Sequence, residues 1–187
     1  MSEFISDKKD PLAPEISLLE PKSDPSLRRE HFRQLLSDIP QFDESHVPDC
    51  VLWLQDSWSE IRKDCAKWIR LSIAGFSHTA EILLFNTLLD CIQSGTNTNS
   101  WQAVHGSVLG LTELIKEGGE NNSDIVQILC LGLVGSSLAP IREAATACIS
   151  KLVISKQIST AVLISTILNS LINLYGNGKC SVRIAHT

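Results

Sequence analysis

One short pattern constrains the fold of this chain more than any other feature. An aliphatic residue followed by Arg or His, near the start of a helical stretch, occurs five times. The pairs are Leu27-Arg28, Ile61-Arg62, Val104-His105, Ile141-Arg142 and Val182-Arg183, at intervals of 34, 43, 37 and 41 residues. Between successive pairs lie one amphipathic stretch, a short loop and a second, more uniformly apolar stretch. A period of this size marks stacked supersecondary units, each leaving apolar area uncovered until its neighbour packs on it.

The stretch from Ser100 to Lys116 shows the pattern most fully. Trp101, Val104, Val108, Leu111 and Ile115 fall on one helical face, Ser100 stands at an N-cap position and Gly118-Gly119 follow the last apolar turn. Trp101 aligns with Trp58, and His105 takes the place that Arg62 and Arg142 hold in their own copies. His105, Gly106 and Gly110 are therefore expected to mark a close helix–helix contact. A membrane-dimer reading of the two glycines fails on Ser107 and the polar flanks.

Residues 1–23, with Pro11, Pro14 and Pro21 among charged and small residues, read as a disordered leader, and residues 24–187 as the folded region. Asp24 and Pro25 are suited to open a first helix, with Leu27, Phe32, Leu35 and Leu36 on its apolar side and Pro40 at its end. A short helix is expected from Pro48 to Leu54, with Trp53 turned towards another layer. Longer helices follow at Asp56–Ser72, Thr79–Gly95, Ser100–Lys116, Ser123–Ser137, Leu138–Leu152 and Ile158–Tyr175. Val182-Arg183-Ile184-Ala185 looks like the opening of a further copy, so the array is expected to be cut short at its C-terminal end.

The copies resemble the HEAT-repeat family, whose first helix carries Pro or Asp, then Val-Arg or Ile-Arg, then small residues before a Leu. Pro140-Ile141-Arg142-Glu143-Ala144-Ala145, continuing to Ile149 and Leu152, is the best copy, and Trp58, Ile61, Arg62, Ala66 and Ile69 form another. The resemblance spans residues 24–187. It implies an all-α, right-handed α-solenoid of antiparallel helix pairs, armadillo-like, with about four repeats plus the start of another. It also implies that the marker Arg serves the stack, pairing with a neighbouring Asp or helix end. The segment Trp101–Leu111 is in addition similar to repeats in the N-terminal solenoid of the Swi2/Snf2-type ATPase that removes TATA-binding protein, with Val104 where that pattern has Arg. This similarity implies a regulatory segment of a larger nuclear machine.

Composition narrows the function classes. A formal charge of −5 disfavours nucleic acid as the direct ligand, because phosphate recognition needs a basic face. A solenoid enzyme acting on nucleic acid would need such a face along its inner helices. Six cysteines are spread widely without a C-x-x-C pair, which fits buried thiols in a reducing compartment better than disulfides or zinc. Met1–Asp10 lacks the apolar run of a signal peptide, and Ile158–Tyr175 is broken by Ser and Asn, so no membrane span is expected. A cytoplasmic or nuclear protein follows.

No G-x-S-x-G elbow, phosphate loop or metal-ligand spacing accompanies His105, so neither catalysis nor a cofactor or metal is expected. The expected function is a non-catalytic scaffold or adaptor binding a protein partner along its inner helices. Asn86, Asp90, Gln93, Gln127, Asn169 and Asn173 are the candidate contacts there. The residues that define the repeat are Trp58, Ile61, Arg62, Trp101, His105, Gly106, Pro140, Ile141 and Arg142.

Overall fold

The computed structural model describes residues 24–37, 42–98, 100–115, 133–155 and 158–176, and every regular element among them is helical. Asp24 starts α1 (Pro25–Ser37) by accepting the Ser26 amide at 2.7 Å, and Pro25 takes the first helical position, where a missing N–H costs nothing. A short 3-10 turn at Glu44–His46, capped by the Asp43 side chain, leads into α2 (Val47–Leu54). There follow α3 (Ser59–Ser72), α4 (His78–Thr98), α5 (Trp101–Leu114), α6 (Ala139–Ile154) and α7 (Thr160–Gly176). The expected helix at Ser123–Ser137 and the copy beginning at Val182 lie outside the described residues, apart from the turn at 133–137.

The packing runs in sequence order. Helix α3 lies against α1, α5 against α3, and α6 against α5; α2 and α4 meet each other, and both also rest on α5. Ile61, Cys65 and Ile69 of α3, Leu84 and Leu88 of α4, and Val108 and Leu111 of α5 form the enclosed centre. Phe42 stacks on Phe76 at 4.0 Å and meets the edge of Trp68 at 5.3 Å, tying the lead-in of α2 to the end of α3.

Several local expectations need correction. Leu27 is 60% exposed, and its neighbour Arg28 is buried instead. The reason is electrostatic: Arg28 grips the Asp56 carboxylate with Nε and Nη2, each at 3.1 Å, so its guanidinium can leave water. Arg29 and Arg33 add ion pairs to Asp64 at 2.6 and 3.3 Å, so α1 is held to α3 largely by charge. Trp53 turns inward onto Phe32, with ring centroids 4.9 Å apart. Gly95 does not end α4, which continues to Thr98; the residue is buried, and a Cβ there would lie 2.7 Å from Val104 Cγ2.

Helix α5 departs most from its apolar stripe. Val104, Val108, Leu111 and Ile115 are buried as the spacing predicts, but so are Ala103, His105, Gly106, Ser107, Gly110 and Leu114. A helix packed against four others keeps only a narrow, partly exposed strip, here Trp101, Gln102, Leu109, Thr112 and Glu113, so burial extends well beyond one stripe. Small residues make the enclosure possible. A Cβ on Gly106 would fall inside the Leu54 carbonyl, and one on Gly110 would lie 2.8 and 2.9 Å from Leu54 Cδ1 and Leu88 Cδ1.

Candidate binding groove between three helices

The loops that enter α3 and α6 fold alike. Asp56 accepts the Trp58 amide on its side chain at 2.7 Å, and Ser136 accepts the Leu138 amide on its hydroxyl at 3.2 Å. Trp58 and Leu138 then cap their helices in nearly the same extended backbone, φ −90° and ψ 122° against φ −90° and ψ 115°. One turn on, Arg62 Nη1 donates back to the carbonyls of Asp56 and Ser57, the latter at 3.1 Å. Arg142 Nη1 donates to Ser136 and Ser137 at 2.7 and 3.0 Å. The marker Arg thus closes the loop ahead of its own helix, and Ile61 or Ile141 beside it points into the core.

The start of α5 is different. The helix opens one residue earlier, so Trp101 is its first helical residue, whereas the aligned Trp58 is a non-helical cap. His105 is buried and makes no carbonyl contact like that of Arg62. Instead Arg62 Nε donates to His105 Nδ1 at 3.1 Å. A guanidinium can only donate, so Nδ1 is the bare nitrogen and Nε2 carries the ring proton. Burial first, then the charges of Arg62 and Lys63, pull the His105 pKa down to about 4. The ring is therefore held neutral at pH 7. The Trp101 ring lies 5.0 Å from Arg62 Cζ, in cation–π range, and meets His105 edge-on at 6.4 Å.

These groups form one end of a groove of about 480 Å³ between α3, α5 and α6. Ser59, Arg62 and Lys63 form one wall; Trp101, His105 and Leu109 the floor; Pro140, Glu143, Ala144 and Ala147 the other wall. Four residues flagged by the repeat pattern, Arg62, Trp101, His105 and Pro140, come together here. A smaller cleft of about 290 Å³ is lined by Leu52, Trp53, Gln55, Asp56, Ser57, Ser100 and Gln102. The larger groove combines polar and charged groups, Ser59, Arg62, Lys63, His105 and Glu143, with the apolar surfaces of Trp101, Leu109, Pro140, Ala144 and Ala147.

The candidate contact residues are distributed elsewhere. Asn86, Asp90 and Gln93 follow one another at i, i+4 and i+7 along the exposed face of α4, beside exposed Ile82 and Leu83. Asn169 is exposed on α7, Gln127 lies outside the described residues, and the side chain of Asn173 is likewise not described. Asp56, Lys63, Leu109 and Glu143 have no place in the repeat pattern, yet they build the loop and the groove. One sign of Asp56 was present: a small polar residue stands six positions before both Arg62 and Arg142.

Among the described residues no group of three or more His, Cys, Asp or Glu side chains is placed to hold a metal ion, and no helix is long and apolar enough to cross a membrane. The described cysteines Cys50, Cys65, Cys91 and Cys148 are free thiols; Cys50 and Cys65 stand 3.8 Å apart, sulfur to sulfur. The class defined by these features is an all-helical protein with a mixed polar and apolar groove. No protein-family model, curated protein or solved structure matches this sequence.

Proposed function

We propose that this protein is a non-catalytic protein-interaction scaffold, a HEAT-like right-handed α-solenoid that works in the cytoplasm or nucleus. The stacked-pair reading is supported by the two equivalent loops before α3 and α6, and by the succession of α1, α3, α5 and α6, each packed on the one before. Helices α2 and α4 then belong to the second layer, which in a solenoid lines the inner surface.

The observation that carries the binding role is the α4 face. Ile82, Leu83, Asn86, Asp90 and Gln93 offer exposed apolar and polar groups in one continuous row. Such a row on a rigid helix suits a protein partner, which covers the apolar part and pairs the polar groups. The deciding experiment is affinity capture with the full-length protein and with an Asn86→Arg/Asp90→Arg variant of unchanged melting temperature. A protein partner should be retained by the parent and lost by the variant. Equal retention by both, or turnover of a substrate by the purified protein, would overturn the proposal.

A further inference from the structure

Arg62 is the most unusual charge among the described residues. Three of the marker arginines can be compared. Arg28 is buried but holds the Asp56 carboxylate in two hydrogen bonds. Arg142 makes the two carbonyl bonds of its loop and is exposed to water. Arg62 is 1% exposed, and among the described residues no carboxylate lies within ion-pair distance of it. Asp56 acts on Arg62 from farther off, but its oxygens are already taken by Arg28 and the Trp58 amide.

A buried guanidinium without an anion is costly to maintain. Here it is offset only by carbonyl dipoles, a neutral imidazole and an aromatic face. Its bonding is also incomplete. Nε goes to His105 and Nη1 to two carbonyls, which leaves Nη2 with no acceptor among the described residues. His105 Nε2–H has none there either. Among the described residues, fully enclosed polar side-chain atoms without a partner are confined to His31 Nε2 and Ser107 Oγ, so Arg62 Nη2 and His105 Nε2 keep contact with solvent, and both residues line the groove. Lys63 on the rim is already paired with Glu60 at 2.9 Å. Glu143 on the opposite wall forms no ion pair with Arg62.

We propose that the groove between α3, α5 and α6 binds a carboxylate of a partner peptide, which accepts from Arg62 Nη2 while an adjoining apolar side chain rests on Trp101, Leu109 and Ala144. This site is separate from the α4 surface and goes beyond the scaffold role. The carboxylate supplies the missing counter-charge through a charge-assisted hydrogen bond. The apolar surfaces beyond it explain why the occupant is a peptide and not a free anion, since a small ion would leave most of the groove wetted. The carboxylate belongs either to an Asp or Glu residue or to the peptide's own C-terminus; both present the same two oxygens.

The test uses the 187-residue protein and follows the Trp101 indole resonance during titration. The probes are acetyl-Leu-Glu-Leu-amide, acetyl-Leu-Gln-Leu-amide, acetyl-Leu-Gln-Leu with a free C-terminal carboxylate, and inorganic phosphate. At least one carboxylate peptide is expected to bind about tenfold more tightly than the fully amidated Gln peptide, and the better of the two identifies the source. Equal binding of the amidated Gln peptide, or phosphate binding as tightly as the peptides, would overturn the proposal. Arg62→Gln should abolish the preference for carboxylate. Because that variant also loosens the α3 loop, Glu143→Gln gives a second reading on an exposed residue. It should tighten carboxylate binding roughly threefold and leave the amide peptide unchanged, and the absence of any such difference counts against the site. Asp90→Arg should bind the peptides as the parent does, which separates failure here from failure of the α4 surface.

Discussion

Arg62 and Arg142 hold the same pair of backbone carbonyls, those six and five residues before them, yet one is buried and the other lies in water. Equivalent carbonyl bonds in different surroundings make them a comparable pair, with Arg62 adding its bond to His105 and its contact with the Trp101 ring. Arg62→Ala leaves the Asp56 and Ser57 carbonyls without a donor and removes the stem packed beneath Trp101. A loss of about 2–4 kcal/mol is expected. Arg142→Ala frees carbonyls that water can reach, for a loss of no more than ~1 kcal/mol. Urea unfolding midpoints of the two variants, with unchanged m-values, check the difference. Similar losses would show that burial of Arg62 and its added contacts contribute nothing.

His105 predicts a pH dependence. Its folded pKa of about 4 lies below the ordinary 6.5, so the unfolded protein takes up a proton first as the pH falls. Stability contributed by the neutral ring is complete above pH 6.5 and is lost progressively down to about pH 4, where the folded ring also protonates. The charges that act on the ring are those of Arg62 and Lys63 of α3. Allowing for solvent screening on the groove side, the loss attributable to His105 is up to ~2 kcal/mol. Stability measured against pH should have a shallower slope between pH 6.5 and 4 in His105→Gln. A slope identical to that of the parent would remove His105 from the account.

Gly106 should tolerate no side chain. The α5 backbone meets the Leu54 carbonyl there, and Arg62 Cδ lies 3.1 Å from where a Cβ would sit. Gly106→Ala must push α2 and α5 apart, at a cost of about 3 kcal/mol or more despite the better helix propensity of Ala. By contrast, Gly75→Ala meets nothing within 4 Å and should change stability by less than ~1 kcal/mol. Thermal melts of both variants test the contrast.

The buried thiols should be unreactive in the native protein. Burial raises the Cys148 pKa to about 11, and burial together with the neighbouring Cys50 thiol raises that of Cys65 well above its usual value. Both should resist maleimide labelling at about pH 7.5 until the protein is unfolded in denaturant. Peptide mapping by mass spectrometry reads this directly. Rapid labelling of Cys65 in the folded protein would mean that the α2–α3 interface opens readily.

The helices were legible where one face meets one neighbour. α3 and α6 show Ile61, Cys65 and Ile69, and Ile141, Ala145 and Ile149, at helical spacing, and their starts follow from the loop residues before them. Two things escaped this kind of reading. The first is the particular long-range partner: the repeat resemblance implies a neighbouring Asp for the marker Arg, but nothing near Leu27-Arg28 announces that it is Asp56, or that Arg28 and not Leu27 becomes the buried residue. The second is enclosure: a helix covered on most sides, as α5 is, shows no single stripe, and its Gly106 and Gly110 reveal only that something comes close. The groove was half visible, because Arg62, Trp101, His105 and Pro140 belong to the repeating pattern. Leu109 and Glu143 reach it only through the angle at which α6 crosses α5, and local sequence does not encode that angle.

The contact between Gly106 and the Leu54 carbonyl has a mechanical consequence. Most helix pairs are separated by a layer of side chains that changes rotamer as the helices slide, and this layer acts as a soft spring. Here one main chain rests on another with no such layer between them, and packed backbones do not compress. Any bending of the molecule must therefore be taken up on either side of this joint. The α2–α5 contact is a stiff point in the packing, fixed by the absence of a side chain at Gly106.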